Sequence, residues 1–323
     1  MKIRRIGVLS SGGDAPGINP CLRAVIRTAI FHDLEVMGIE DGYEGLIHGD
    51  MYELRPRDVG GVLKEGGTFL RTARCPEFKE LKVQRKGLRE LNAAEIDALV
   101  VVGGDGSLRG ALALSKLGFP VVGAPASIDN DIYGTEMSLG VDTALNTIMD
   151  AVDKLRDTAS SHQRVFLVET MGRGCGYLAL MAGIVSGAEQ ILIPEKEADL
   201  EAVATDIEEA YERGKSHAII VAAEGAAVKV NDLAKYLEDR DIGFEVRVTI
   251  LGHVVRGGSP TAFDRLLASR MGVKAVQLLL EGKSGVMVGL NNGKITPVPL
   301  EEVGTKTHGP NLEYYDMAQM LSI

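Results

Sequence analysis

Two apolar runs, Ala98-Leu99-Val100-Val101-Val102 and Val121-Val122-Gly123-Ala124, each lead into an acidic turn: Gly103-Gly104-Asp105-Gly106-Ser107 and Ser127-Ile128-Asp129-Asn130-Asp131. Continuous apolarity without alternation is the pattern of a strand buried on both faces, as in a parallel sheet. Both sets of carboxylates therefore arise at strand C-terminal ends, where open α/β sheets bind ligands. Glycine lets a backbone approach phosphate oxygens closely, and an aspartate beside it can hold a divalent ion that a nucleotide phosphate also binds. The pair points to phosphoryl transfer.

Strand-like runs recur at 6–10, 35–39, 98–102, 121–124, 165–168, 191–193, 218–223 and 247–251. Helical patterns lie between them at 22–30, 108–117, 141–159, 200–213 and 263–280. This alternation predicts a doubly wound α/β architecture, and the Gly140 step divides it near residue 140, leaving a second lobe that runs to about 253. The turn Gly12-Gly13-Asp14-Ala15-Pro16-Gly17 falls between the first strand and a helix, where N–H groups can face an anion. It is not a Walker A loop, because Ile18-Asn19 stand where Lys and Ser/Thr are required. Pro20 has no N–H and fits only the first turn of a helix, so this helix begins no earlier than about residue 17.

Charge and composition exclude several classes. With 35 basic against 45 acidic side chains the net charge is −10, which disfavours nonspecific nucleic-acid or anionic-membrane binding. The absence of Trp and an aromatic content of 5% argue against base-stacking platforms. Cys21, Cys75 and Cys175 show no metal-ligand rhythm and fit a reduced compartment. The N-terminal apolar stretch covers only 6–9, too short for a signal-peptide core, and no run approaches a membrane span. These features together predict a cytoplasmic protein.

In an extended segment residues i and i+2 share a side, so Asp129 and Asp131 would face one ligand while Asn130 points away. The alternative is an Asx-rich turn whose aspartates bond backbone N–H groups. A second Gly-Asp-Gly turn after the neighbouring strand favours the ligand reading. A phosphoryl donor and a phosphorylated acceptor also need fixed positive charge. Candidates beside glycine or turn signals are Arg71 and Arg74, Arg164, Arg173 in Met171-Gly172-Arg173-Gly174, and Arg256 in His253-Val254-Val255-Arg256. Any one alone reads as a solvated surface residue. His253 alone reads equally well as a structural histidine; it and Arg256 can reach one phosphate together if their segment turns helically. Arg23 and Arg27 share one helix face, a solvated stripe by default, and a second anion site if Arg156, Arg213 and Lys215 converge there.

With these residues in view, the chain resembles the bacterial ATP-dependent 6-phosphofructokinase family from residue 6 to about 288. The segments that carry the likeness are GGDAPG (12–17), GGTFLRTARCPEF (66–78), GGDGS (103–107), SIDND (127–131), KLRDTASSHQR (154–164), MGRGCG (171–176) and LGHVVRGGSPTAFDRLLASRMG (251–272). The resemblance implies two Rossmann-like lobes with mainly parallel sheets and an active-site cleft between them. The larger, ATP-binding lobe would take 1–139 plus about 254–304, and the smaller, sugar-phosphate-binding lobe 140–253 plus about 305–323.

By position, the resemblance implies that Gly13, Arg74, Cys75, Gly104, Asp105, Gly106 and Ser107 bind ATP, with Asp105 serving a magnesium ion. Asp129 would be the catalytic base, taking the proton of the 1-hydroxyl of fructose 6-phosphate as that oxygen attacks the γ-phosphorus. Ser127, Asp131 and Arg173 would position and stabilise the transferring group. Ser127, Ile128, Asp129, Met171, Gly172, Arg173, Glu224, His253, Val254, Val255 and Arg256 would line the sugar-phosphate site. Arg164 and Arg247 would reach the 6-phosphate from a neighbouring subunit, which implies a homotetramer. Arg23, Arg27, Arg156, Glu189, Arg213 and Lys215 match the family's effector site for ADP or phosphoenolpyruvate, whereas Pro56, Gly60 and Gly61 depart from it.

Further departures are Ser127 for a commoner threonine, and Tyr177 and Val255 where many relatives have Asp and Gln. Pyrophosphate-using relatives carry Asp and Lys where this chain has Gly106 and Ala126, so small residues there favour ATP. The competing readings are a pyrophosphate-dependent or other sugar-phosphate kinase, and a noncatalytic nucleotide and sugar-phosphate sensor. A sensor needs the arginines but not an intact base and metal carboxylate. A dehydrogenase is disfavoured because the Gly12 turn lacks GxGxxG spacing.

Overall fold

The structure, a computed structural model, describes residues 3–322. Two compact units emerge from the chain: one runs up to Thr143 and resumes over Arg256–His308, the other comprises Ala144–Val255 and the segment from Gly309 on. In chain order the elements begin with β1 (Arg5–Ser11), α1 (Ile18–Phe31), β2 (Glu35–Ile39), α2 (Gly42–His48), β3 (Met51–Glu53), α3 (Leu81–Ala93), β4 (Ala98–Gly103), α4 (Asp105–Lys116) and β5 (Val121–Pro125). Next come α5 (Val141–His162), β6 (Arg164–Thr170), α6 (Tyr177–Ser186), β7 (Gln190–Leu192), α7 (Leu200–Glu212), β8 (Ala218–Ala223), α8 (Val230–Arg240) and β9 (Glu245–Ile250). The chain closes with α9 (Ala262–Leu280), β10 (Val286–Asn291), β11 (Lys294–Pro299), α10 (Leu300–Val303) and α11 (Glu313–Leu321).

The first unit is built on a seven-stranded sheet of order β11-β10-β5-β4-β1-β2-β3. Its five central strands are parallel, and β3 and β11 close the edges antiparallel. Val8, Val100 and Val122 lie in register and are fully buried, which is what the uninterrupted apolar runs require. From β1 the chain pairs with β2 on one side and β4 on the other, so the strand order reverses there. A crevice at the carboxyl ends of β1 and β4 follows from that reversal. At this point Gly103 lies opposite Ser11, and a Cβ on Gly103 would come within 2.4 Å of the Ser11 carbonyl oxygen.

Asp264, in the first turn of α9, is fully buried and accepts from the backbone N–H groups of Gly140 and Thr143, both at 2.9 Å, and from the Thr143 hydroxyl. Burial pushes its carboxyl above the ordinary range, and the bonds from Thr143 and Gly140 pull it back. It thereby fixes the start of α5 against α9.

The second unit carries a wholly parallel four-stranded sheet of order β7-β8-β6-β9. Val165, Leu167, Ile220 and Ala222 pack one face against Val203 and Ile207 of α7 and Leu233 and Leu237 of α8. The alternation of α and β, with mainly parallel sheets, is the architecture expected. The sequence patterns did not register β3, β10, β11 and several helices, and β9 ends at Ile250 rather than Leu251. No helix among the described residues is long and apolar enough to cross a membrane.

Candidate active site

Three strand ends of the first unit carry the glycine and acid turns. After β1, Gly12 is left-handed (φ 86°), and α1 begins at Ile18, as the position of Pro20 requires. After β4, Gly104 caps α4 and Asp105 opens its first turn, where an anionic ligand also meets free N–H groups. Asp105 is held at 3.1 Å by Arg109 one turn on, at the exposed surface. The Ser107 hydroxyl donates to the Ser11 carbonyl at 2.8 Å and its own carbonyl accepts from the Tyr43 hydroxyl at 2.6 Å, so this side chain ties β1 to α4. A Cβ on Gly106 would meet nothing within 4 Å, whereas Ala126 is 2% exposed. Open space therefore lies at Gly106, and the size argument about the donor rests there rather than on Ala126.

The segment after Gly66 is fastened to the same edge. Ser10 and Thr68 share a hydroxyl–hydroxyl bond of 2.7 Å, and the Thr72 hydroxyl donates to the Gly12 carbonyl at 2.9 Å. Arg74 next to it is exposed, while Arg71 pairs with Glu40 at 2.9 Å and Asp41 at 3.0 Å and so belongs to the surface. Cys75 sits beside Glu44, and burial followed by that carboxylate pushes its thiol up to about 11. It is a neutral hydrogen-bonding group, not a thiolate.

The 127–131 segment departs from the extended geometry expected of it. Asn130 is left-handed (φ 51°) and wholly buried, with its amide donating to the Glu136 carbonyl at 3.1 Å and accepting from the Ser138 N–H at 2.9 Å. Asparagine tolerates that conformation because its short side chain bonds locally. The Ser127 hydroxyl links the two acids, accepting from the Asp129 N–H and donating to Asp131 Oδ1, each at 3.3 Å. Asp129 is 7% exposed, and Ile128 is buried.

Sequence patterns gave Asp14 no role, yet it anchors Arg256. The Arg256 guanidinium is 15% exposed, with Nε 3.2 Å from Asp14 Oδ1 and Nη2 donating to the Asp14 carbonyl at 2.9 Å. A Cβ on Gly13 would lie 2.0 Å from that Nη2, so glycine there makes room for the arginine. The segment Gly252–Arg256 is a 3₁₀ turn, which puts residues i and i+3 on one side and so aligns His253 with Arg256. Val254 is exposed, whereas the Val255 side chain is fully buried.

In the second unit the carboxyl ends of β6, β8 and β9 carry Met171-Gly172-Arg173, Glu224 and His253 respectively. Glu224 accepts from the N–H groups of Gly172 at 3.2 Å and Arg173 at 2.8 Å, which holds the loop with Arg173 left-handed and exposed. Burial and the neighbouring Glu224 push the Glu169 carboxyl up. Arg164 and Arg247 both pair with Glu245 at the edge strand β9.

The effector candidates are gathered in two places. Lys215 lies 3.6 Å from Glu189, and Arg156 contacts His217 at 3.5 Å and donates to the Ser186 carbonyl. Burial, opposed by Glu189 and reinforced by Arg156 and Lys215, pushes the His217 imidazole down. Arg213 turns away to Glu209 of its own helix at 3.1 Å. In the first unit Arg23 Nε is buried without a hydrogen-bond partner, and burial followed by Arg27 lowers its pKa.

A magnesium ion keeps several waters and takes one or two carboxylates plus phosphate oxygens. Asp105, 41% exposed at the first turn of α4 beside the open space at Gly106, fits that need as a single hard donor. The other gathered set, Glu44, Cys75 and Glu77, includes a protonated thiol and suits it poorly.

The family described as phosphofructokinase matches residues 5–279. A chain named ATP-dependent 6-phosphofructokinase from Shouchella clausii (strain KSM-K16) is 52% identical over 323 residues, covering 99% of this chain and 100% of its own length. The solved phosphofructokinase from Saccharomyces cerevisiae superposes with a TM-score of 0.87 at 39% identity, covering 93% of this chain and 45% of that one. A pyrophosphate-dependent phosphofructokinase from Marinobacter aquaeolei shares the fold at a TM-score of 0.88 with 21% identity, covering 97% of this chain and 86% of its own. With that family match spanning most of the chain and half of all positions identical along its whole length, the chain belongs to the phosphofructokinase family.

Proposed function

We infer that this chain uses ATP to phosphorylate fructose 6-phosphate at its 1-hydroxyl, giving fructose 1,6-bisphosphate and ADP. The observation that carries the inference is the emergence of GGDGS and SIDND at the carboxyl ends of β4 and β5, adjacent parallel strands of one sheet. The names of relatives 52% identical over the full length supply the substrates.

We assign ATP to the first unit, at Gly13, Arg74, Cys75 and the turn 104–107. The sugar phosphate is assigned to Met171, Gly172, Arg173, Glu224 and the 253–256 turn. Asp129 takes the proton of the attacking hydroxyl; in a loose phosphoryl-transfer transition state the nucleophile needs little activation, so a carboxylate suffices. Ser127 and Asp131 hold that turn in shape, and Arg173 supplies positive charge to the transferring group. Magnesium, held through Asp105, would neutralise charge on the phosphates. Losing Arg173 is therefore expected to reduce turnover more than binding.

Three further proposals concern the setting, assembly and regulation of the chain. Among the described residues Cys21, Cys75 and Cys175 form no disulfide, in keeping with a cytoplasmic setting. Arg247 on the edge strand β9 and Arg164 on the neighbouring β6, with exposed Ile250 and Val254 close by in the chain, support a homotetramer in which the two arginines reach a neighbour's 6-phosphate. The pairing of Lys215 with Glu189, beside Arg156, supports an anion effector such as ADP or phosphoenolpyruvate.

A coupled assay with fructose 6-phosphate and either ATP or pyrophosphate tests the assignment. Turnover with ATP and little with pyrophosphate is expected; faster use of pyrophosphate, or no turnover with either, overturns it.

A further inference from the structure

The acidic turn 127–131 is gripped from two sides, and one grip belongs to a stretch of chain far away in sequence. Beyond α10, residues 305–308 run back along the turn: Thr307 forms an antiparallel bridge with Ile132, and the His308 N–H donates to the Asp131 carbonyl at 3.2 Å. The Asn130 amide, bonded at 136 and 138, supplies the opposite grip. Between them runs a short relay in which Asp131 accepts from the Ser127 hydroxyl and Ser127 accepts from the Asp129 N–H, each at 3.3 Å. Whatever draws Asp131 away from Ser127 therefore loosens the backbone at Asp129.

His308 is half-buried and its imidazole lies in the field of the Asp131 carboxylate. Lys306, the other basic residue on this strap, is turned to Glu302 at 2.7 Å and to the Tyr133 hydroxyl at 3.2 Å. Asp131 is thus the charged group acting on the histidine. Burial pushes the imidazole below its ordinary value and Asp131 pulls it only part of the way back, so it is neutral at neutral pH.

We propose that His308 is a positioning residue of the phosphoryl-transfer centre, acting through Asp131: its amide fixes the end of the turn, and its neutral imidazole leaves the Asp131 carboxylate to Ser127. Once protonated, the imidazolium is a charged donor that competes with the Ser127 hydroxyl for Asp131. The relay to Asp129 then slackens, and turnover falls on the acid side. This rests on the function proposed above.

Turnover is measured on the full chain from pH 5 to 8 at saturating ATP and fructose 6-phosphate. His308→Gln is uncharged at every pH, so the acid-limb midpoint of kcat moves down by about half a pH unit or more. His308→Pro removes the amide donor and lowers kcat at pH 7.5 by about tenfold. If that variant does not fold, as judged by circular dichroism, the glutamine variant alone decides. Independently of activity, the His308 ring titration followed by NMR moves to lower pH in Asp131→Asn, because the carboxylate that raises it is gone. Overlapping acid limbs in wild type and His308→Gln, or an unmoved ring titration in Asp131→Asn, overturns the proposal. A wild-type chain without ATP-dependent turnover overturns the functional reading instead.

Discussion

At the residue scale, one candidate site arginine is held by a partner far off in sequence. Asp14 and Arg256 are 242 residues apart, and no local pattern marks them as a pair. Replacing Asp14 by Asn removes the counter-charge but keeps the carbonyl bond. The ion pair is partly exposed and its strength is discounted accordingly, to about 1 kcal/mol. The fructose 6-phosphate concentration giving half-saturation is then expected to rise roughly fivefold with little change in kcat, a split that steady-state kinetics reads directly. Asp129→Ala removes the proposed base outright, and turnover is expected to fall by about two to four orders of magnitude. ATP affinity, followed by calorimetry, stays nearly intact; comparable turnover in the variant removes Asp129 from that role. Residue type made Asp105, Asp129 and Arg173 legible as candidates. It did not reveal that Ser107 is spent on tying β1 to α4, nor that Val255 is sealed inside.

At the scale of elements, long apolar runs were readable because a parallel strand buried on both faces has no solvent side to encode. Edge strands and short helices were not. β11 alternates and carries two prolines, yet the Asn292-Gly293 pair between β10 and β11, with both residues left-handed, is a hairpin signal that could have found it. The 127–131 turn was legible as a candidate site and misjudged in shape. Its conformation depends on Asn130 being clamped by groups six and eight residues on. Helix starts are likewise fixed by tertiary contacts: α5 is held at Gly140 and Thr143 by Asp264 from α9. Asp264→Ala leaves three buried donors without their acceptor, and a loss of about 3 kcal/mol is expected in urea denaturation. An unchanged midpoint would show that α5 starts without this contact.

At the scale of the whole molecule, the shared fold does not choose the phosphoryl donor, since a pyrophosphate-dependent phosphofructokinase superposes with a TM-score of 0.88. The proposed use of ATP rests instead on the open space at Gly106. Assembly is also decided at this scale. Ile250 and Val254, 54% and 63% exposed, sit beside β9, whose far edge is unpaired in the sheet. Wild-type protein is expected to sediment as a species of about four chain masses, and Ile250→Lys, which places a charge in that face, as a smaller one. Sedimentation of the wild type as a single chain would sink the tetramer.

The sequence by itself determined where phosphate chemistry could arise. Unbroken apolar runs of this length fit strands buried on both faces, and the glycines and acids that follow such strands stand at one kind of sheet edge. Only the tertiary structure decided which of these groups meet. Strand order, the hold of Asp14 on Arg256 and the return of residues 305–308 onto Asp131 are long-range contacts, and no local propensity encodes them.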